Sequence, residues 1–219
     1  MPTPTIEEYL ETIYAMASDG KEVIGARLAE ALDVSPPTVT ATLQRMVRDG
    51  LISFGARKEI TLTAQGQVAV ESLLRRHRLS ERLLVDMLGM NWHEVHDEAC
   101  RLEHAISPQV EQRLVEKLGD PDTCPHGNPI PGKTVAEGYR RLVDVGVGEN
   151  VVIRRIAQRA EAEPGLLRYL EEHGLKPGAT VGVREVVPFN GPVVLSVREG
   201  TVPLGRDLAA MLWVEQAED

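Results

Sequence analysis

The stretch HDEACRLEH, residues 96–104, packs His96, Cys100, Glu103 and His104 into nine positions. At 100° per residue the last three lie about 40°, −20° and 80° around a helix from His96, so on a helix all four side chains leave one face. Imidazole, thiolate and carboxylate groups are ligands for first-row divalent ions. Spacings of four, three and one residue let one helix supply several of them without strain. Donors of the same kind recur elsewhere: Glu8 and Glu11 one turn apart, His77 and Glu81 at i, i+4, and Cys124 with His126 in CPHG. Any one of these histidines taken alone reads as a surface or satisfied core residue. The weight lies in the set, which takes in both cysteines and four of the six histidines, and the chemistry it points to is metal binding.

The elements that must position these groups fall into three zones. In residues 1–70, Ile6, Tyr9, Leu10, Ile13 and Tyr14 repeat at helical spacing. GKEVIGARLAEALDVSPPTVTATLQRMVRDGLI then reads as helix, turn, helix. Ile24, Leu28, Ala31 and Leu32 form one apolar face, Ser35 caps the second helix, and Pro36 and Pro37 fit its first turn. Val39, Leu43, Met46 and Val47 are expected to face inward, and Asp49-Gly50 ends the helix. LISFGARKEITLTAQG alternates around a short turn as a two-stranded wing. This order describes a winged helix-turn-helix whose second helix enters the major groove. Its exposed positions would be Ser35, Pro37, Thr38, Thr40, Ala41 and Arg45, with Arg48, Arg57 and Lys58 available to phosphates. A formal charge of −9 argues against non-specific coating of nucleic acid and confines DNA contact to such a local basic surface. A helical core hairpin that binds nothing is the bland alternative.

Residues 71–118 read as two or three long helices, with Leu73, Leu74, Leu79, Leu83, Leu84 and Met87 as an apolar repeat. Residues 119–148 have the Gly- and Pro-rich composition of a linker. From about residue 149, short Val-rich runs (VVIRRIA, ATVGVREVV, PVVLSVREG, TVPLG), interrupted by one helix in EPGLLRYLEEHGL, suggest a small β-barrel. The opening MPTPTIEEYL lacks the basic-then-apolar pattern of a signal peptide, and no run of about 18 apolar residues is present to span a bilayer. The expectation is a cytoplasmic protein without membrane contact, in which Cys100 and Cys124 form no structural disulfide.

VHDEACRLEHAISPQVEQRLVEKL, RRHRLSERLLVDMLG, SPPTVTATLQRMVRDGLI and GNPIPG together resemble the diphtheria toxin repressor family of iron- and manganese-dependent repressors, through about residues 5–132. The tail is similar to that family's third domain. The resemblance implies a mainly α protein with a small β part: a winged helix-turn-helix (1–70), a helical dimerisation and metal-binding domain (71–140), and a C-terminal SH3-like, FeoA-like β-barrel (141–219). It implies a homodimer that binds double-stranded operator DNA with metal as corepressor. Carried over by position, the primary site falls on Glu8, Cys100, Glu103 and His104. The secondary site falls on His77, Glu81 and His96, with Gln158 and Glu161 near it in the third domain. The iron branch has methionine where Glu8 stands, and manganese sensors usually have glutamate where Cys100 stands, so the site is a hybrid. CPHG replaces the iron branch's SPFG and resembles streptococcal-type manganese repressors. A second ion is therefore expected on Glu81, Cys124 and His126, with His77 or His96 and a carboxylate such as Glu161. Two ions per chain, Fe(II) or Mn(II), are implied; the carboxylate of Glu8 favours the harder ion and the thiolate of Cys100 pulls toward Fe(II), Co(II) or Zn(II). Co(II), Ni(II) and Zn(II) should also bind in vitro.

With Glu8 on the first helix and Cys100, Glu103 and His104 in the next domain, an ion joining them would favour one arrangement of the reading heads. The rival is a metallohydrolase with Glu11 as general base, which needs an open coordination position. No HExxH or comparable signature supports it.

Overall fold

The computed structural model describes residues 2–18, 20–134, 138–161, 163, 165–198 and 200–217. The chain divides into two compact units, Met1–His77 with Glu103–Ile106, and Arg78–Leu102 with Ser107–Asp219.

The first unit holds α1 (Pro4–Ser18), α2 (Gly25–Ala31), α3 (Pro36–Arg48), β1 (Ile52–Phe54), β2 (Ile60–Leu62) and the start of α4 (Ala64–Arg82). Ser35 caps α3 by accepting from the Thr38 amide, with Pro36 and Pro37 in the first turn. Ile6, Tyr9, Leu10 and Ile13 of α1 pack with Leu28, Val39, Leu43, Met46, Val70 and Leu74 in one core. Two apolar assignments fail. Val47 is 41 % exposed, and Ala31, the last residue of a seven-residue α2, is exposed. Val23 takes the buried place, because the extended segment before α2 accepts the Ile60 amide at 2.8 Å and so joins the wing. β1 and β2 pair antiparallel, Ile52 opposite Leu62 and Phe54 opposite Ile60. Gly66 lets α4 start close to the wing: a Cβ there would lie 1.9 Å from the Leu51 carbonyl oxygen.

In the second unit α4 ends in a π-turn, Leu83–Met87, where the Leu88 amide donates to the Leu83 carbonyl at 3.1 Å. α5 (Val95–Leu102) and α6 (Pro108–Leu118) are shorter than the expected long helices. α5 stops at Leu102, and Glu103 and His104 follow in a turn. The four donors of residues 96–104 therefore do not share one helix. Met87, placed in the apolar repeat, is 54 % exposed.

The tail forms a six-stranded sheet in the order β3-β8-β4-β5-β6-β7, with strands at Arg140–Arg141, Leu212–Gln216, Asn150–Ile156, Thr180–Val186, Val193–Val197 and Gly200–Leu204. α7 (Leu166–Glu172) and α8 (Arg206–Ala209) accompany it. Its core includes Ile153, Leu170, Leu195 and Leu212, and Trp92 from the segment before α5 packs into it.

Candidate metal centre

The loop that composition marks as linker is a built structure from Pro121 to Pro131. The Cys124 amide donates to the Asn128 carbonyl at 2.8 Å, the Gly127 amide to the Cys124 carbonyl at 2.9 Å, and the Ile130 amide to the Asp122 carbonyl at 2.8 Å. Side chains from α4 hold it. Arg82 donates from Nε to the Thr123 carbonyl at 2.7 Å, and Arg78 donates to the Pro129 carbonyl and, at 3.2 Å, to Gln158. Trp92 donates from its indole to the Pro125 carbonyl at 2.9 Å. Cys124, His126, Gly127 and Asn128 are all buried. Residues 135–137, within the expected linker, lie outside the described residues.

The loop delivers Cys124 and His126 to Glu81 near the end of α4 and to Glu161, which follows β4 and one 3-10 turn. One donor atom from each of Glu81, Cys124, His126 and Glu161 lies within 4.8 Å of every other. Their side chains are at most 2 % exposed. His126 Nδ1 stands 3.1 Å from Glu81 Oε1 and 3.4 Å from Glu161 Oε1. Two donors each about 2.1 Å from a shared ion stand roughly 3.0–3.4 Å apart, so these separations suit a single divalent cation. His126 Nε2 is 3.1 Å from the Trp92 carbonyl oxygen. An N–H there leaves Nδ1 as the ligand atom, the usual outer-shell device for fixing an imidazole tautomer. His96 borders the set: its Nδ1 is 3.3 Å from Glu161 Oε2 and 3.9 Å from Glu81 Oε1, and its Nε2 is 3.7 Å from Cys100 Sγ.

The protonation of the cluster follows from its enclosure. Burial pushes the Cys124 thiol up, and the Glu81 and Glu161 carboxylates push it further. Burial works against the His126 imidazolium, but Glu81, the bond with Cys124 and Glu161 outweigh it and raise its pKa well above the usual imidazole value. His96 behaves alike, burial being overcome by Cys100 and Glu161, to a pKa of about 10. Two carboxylates, a thiol and imidazoles that hold protons in place of a cation form a fitting donor set for a borderline divalent ion.

In the first unit Glu7, not Glu8, is buried among polar partners. Arg76 donates to Glu7 Oε1 at 3.1 Å and to the Glu103 carbonyl at 2.8 Å, while Glu7 Oε2 is 2.6 Å from His104 Nδ1. Glu103 pairs with the buried His77 at 2.6 Å and lies 3.5 Å from His104. Glu8 is exposed and Glu11 half-buried. Sequence reasoning missed Glu7, Arg76, Trp92 and Asn128. The one signal for a buried partner is the charge of Arg76 on a helix that also carries apolar Leu73 and Leu74, and its basic neighbours Arg75 and Arg78 mask it.

The positions expected to face DNA stand open: Ser35 at the cap of α3, Pro37, Thr38, Thr40, Ala41, Arg45 and Arg48 within it, and Arg57 and Lys58 in the wing turn are all exposed. Arg45 and Arg48 each lie 3.7 Å from Asp49, in surface ion pairs weak enough to yield to phosphate.

A winged helix with an open recognition helix, in a chain whose second unit gathers metal-type donors in its interior, defines a metal-responsive DNA-binding regulator. Three family models match in turn: the iron dependent repressor N-terminal DNA binding domain over residues 1–60, the iron dependent repressor metal binding and dimerisation domain over 63–132, and the FeoA domain over 140–216. The chain belongs to the iron-dependent repressor family and is an iron- or manganese-dependent transcriptional repressor of that kind. It is 38 % identical to the iron-dependent repressor IdeR of Mycobacterium tuberculosis, covering 97 % of each chain. It is also 38 % identical to the diphtheria toxin repressor of Corynebacterium glutamicum, covering 98 % of this chain and 97 % of that one. A solved manganese-dependent transcriptional repressor in complex with manganese superposes with a TM-score of 0.86 at 34 % identity, over 97 % of this chain and 100 % of that one. No described helix is long and apolar enough to cross a membrane.

Proposed function

We propose that this repressor holds two divalent ions per chain, Fe(II) or Mn(II), and as a homodimer represses metal-uptake genes by binding their operators. The observation that carries the second ion is the enclosed quartet Glu81, Cys124, His126 and Glu161. Full enclosure suits an ion that is held, whereas a catalytic ion needs an open coordination position. The four donors need no anion to complete the shell, and the neighbouring Arg78 is already engaged by the Pro129 carbonyl and Gln158. The regulatory ion is assigned by resemblance to Glu8, Cys100, Glu103 and His104.

Dimerisation is supported by α6, which is amphipathic in sequence yet has no buried residue. Leu83, Met87, Val110 and Leu114 line an apolar groove of about 450 Å³, beside the exposed Leu88. A second copy of the chain is the natural cover, since this stretch lies within the matched dimerisation domain.

The deciding experiment is a mobility shift on DNA upstream of metal-uptake genes, with Mn(II) or Fe(II) and with chelator. Binding only with metal is expected, and equal affinity in both conditions would overturn the reading. For the second ion, a metal count on Cys124→Ala/His126→Ala should fall by one per chain.

A further inference from the structure

Glu161 is the last member of the quartet along the chain, 35 residues beyond His126, and its carboxylate has to be brought to the others. Asn128 is placed to do this. Buried at 4 % exposure, it donates from Nδ2 to the Ile156 carbonyl at 3.0 Å and to Glu161 Oε1 at 2.8 Å. Both acceptors are oxygens, so the amide must present its NH2 group to them and its orientation is determined. The surrounding backbone is fixed as well. The Ile156 amide donates to the His126 carbonyl at 2.9 Å. Gly127, at φ +84°, packs so close to β4 that a Cβ would lie 2.0 Å from the Arg154 carbonyl oxygen. The loop that carries two ligands is thus joined to the end of the strand that leads to the fourth.

We propose that Asn128 is a positioning residue for the second ion, its side-chain amide holding the Glu161 carboxylate in the quartet before any ion arrives. One N–H occupies one lone pair of Oε1, and the remaining lone pairs of Oε1 and Oε2 stay available to a cation. Oε1 also lies 3.4 Å from His126 Nδ1, so the amide sets the spacing between two ligands. The inference rests on the reading that Glu81, Cys124, His126 and Glu161 bind the second ion.

The test is a double-mutant cycle on the full-length protein with Asn128→Ala, Glu161→Ala and both, reading the affinity of the second Zn(II) by chelator competition. Zinc is chosen because three remaining donors still hold it. Melting temperatures of the metal-free variants are read alongside. Loss of an outer-shell partner of this kind costs 10–100-fold in metal affinity. Asn128→Ala should show that loss when Glu161 is present and less than about threefold further loss when it is absent. An equal loss in both backgrounds would mean that Asn128 merely braces the loop, and no loss in either would remove its role; each overturns the proposal. Asn128→Ser, measured in the same cycle, replaces Asn128→Ala if that variant does not fold. The Cys124→Ala/His126→Ala metal count reports separately whether the quartet binds an ion at all.

Discussion

Glu7 and Glu8 are neighbours in sequence, but α1 turns them to opposite surroundings, and this decides what each can do. Glu7 neutralises Arg76 in a nearly closed site, with side chains about 9 % and 10 % exposed. Removing one partner of a buried pair strands the other charge, at about 3–5 kcal/mol. Glu7→Ala should therefore cost about 3 kcal/mol of stability in urea titration. Glu8→Ala, at an exposed position, should stay within about 0.5 kcal/mol and yet abolish metal-dependent DNA binding if Glu8 is a ligand. Glu8→Met should weaken the response to Mn(II) relative to Fe(II); an unchanged ratio in parallel titrations would remove Glu8 from the site. Tyr9, two per cent exposed, keeps its hydroxyl buried without a hydrogen-bond partner among the described residues. An unmet buried hydroxyl costs about 1–3 kcal/mol, so Tyr9→Phe should raise the melting temperature.

At the scale of elements, what the sequence makes legible is what local chemistry dictates. The Ser35 cap with Pro36 and Pro37 marks the start of α3, and the alternation around Gly55 marks the wing. Four of the strands in the tail announce themselves as Val-rich runs between turn residues. The 121–131 loop does not. Its Gly and Pro content signals turns, but its order comes from Arg78, Arg82 and Trp92, forty residues or so away in sequence. Composition cannot register partners at that distance. The short α5 was misjudged for a related reason: helical spacing of the donors continues past Leu102 while the backbone does not, because Glu103 and His104 are engaged by His77, Arg76 and Glu7 instead. The candidate quartet was legible as residue types and by resemblance, but its enclosure was not. Since Gly127 has no room for a Cβ, Gly127→Ala should part the loop from β4 and lower the stoichiometry by one ion, a change that elemental analysis would detect.

For the molecule as a whole, the protonation of the quartet and of the bordering His96 sets a pH dependence with a definite sign. His96 has its folded pKa raised to about 10, so its charged form stabilises the metal-free fold fully below about pH 6.5, and that contribution is lost as pH climbs toward about 10. His126 acts in the same direction, and Cys124, held above the ordinary thiol value, resists deprotonation over the alkaline range. A bound ion reverses the demand, because it requires these ligands deprotonated. The rise in melting temperature on adding Mn(II) should therefore grow from about pH 6 to about pH 9, as scanning calorimetry would record; a rise that shrinks over that range would contradict the assigned ligands. Replacing Leu88 by glutamate in the uncovered apolar face should yield monomers in sedimentation. The quartet also has a mechanical side. Glu81 and Glu161 are eighty residues apart, and an ion gripping both closes that span of chain as a covalent bridge would, taking freedom away from the unfolded ensemble. With an ion on the proposed quartet, the chain would acquire the tether of a long-range disulfide through a single cysteine, without an oxidant, and a chelator would untie it.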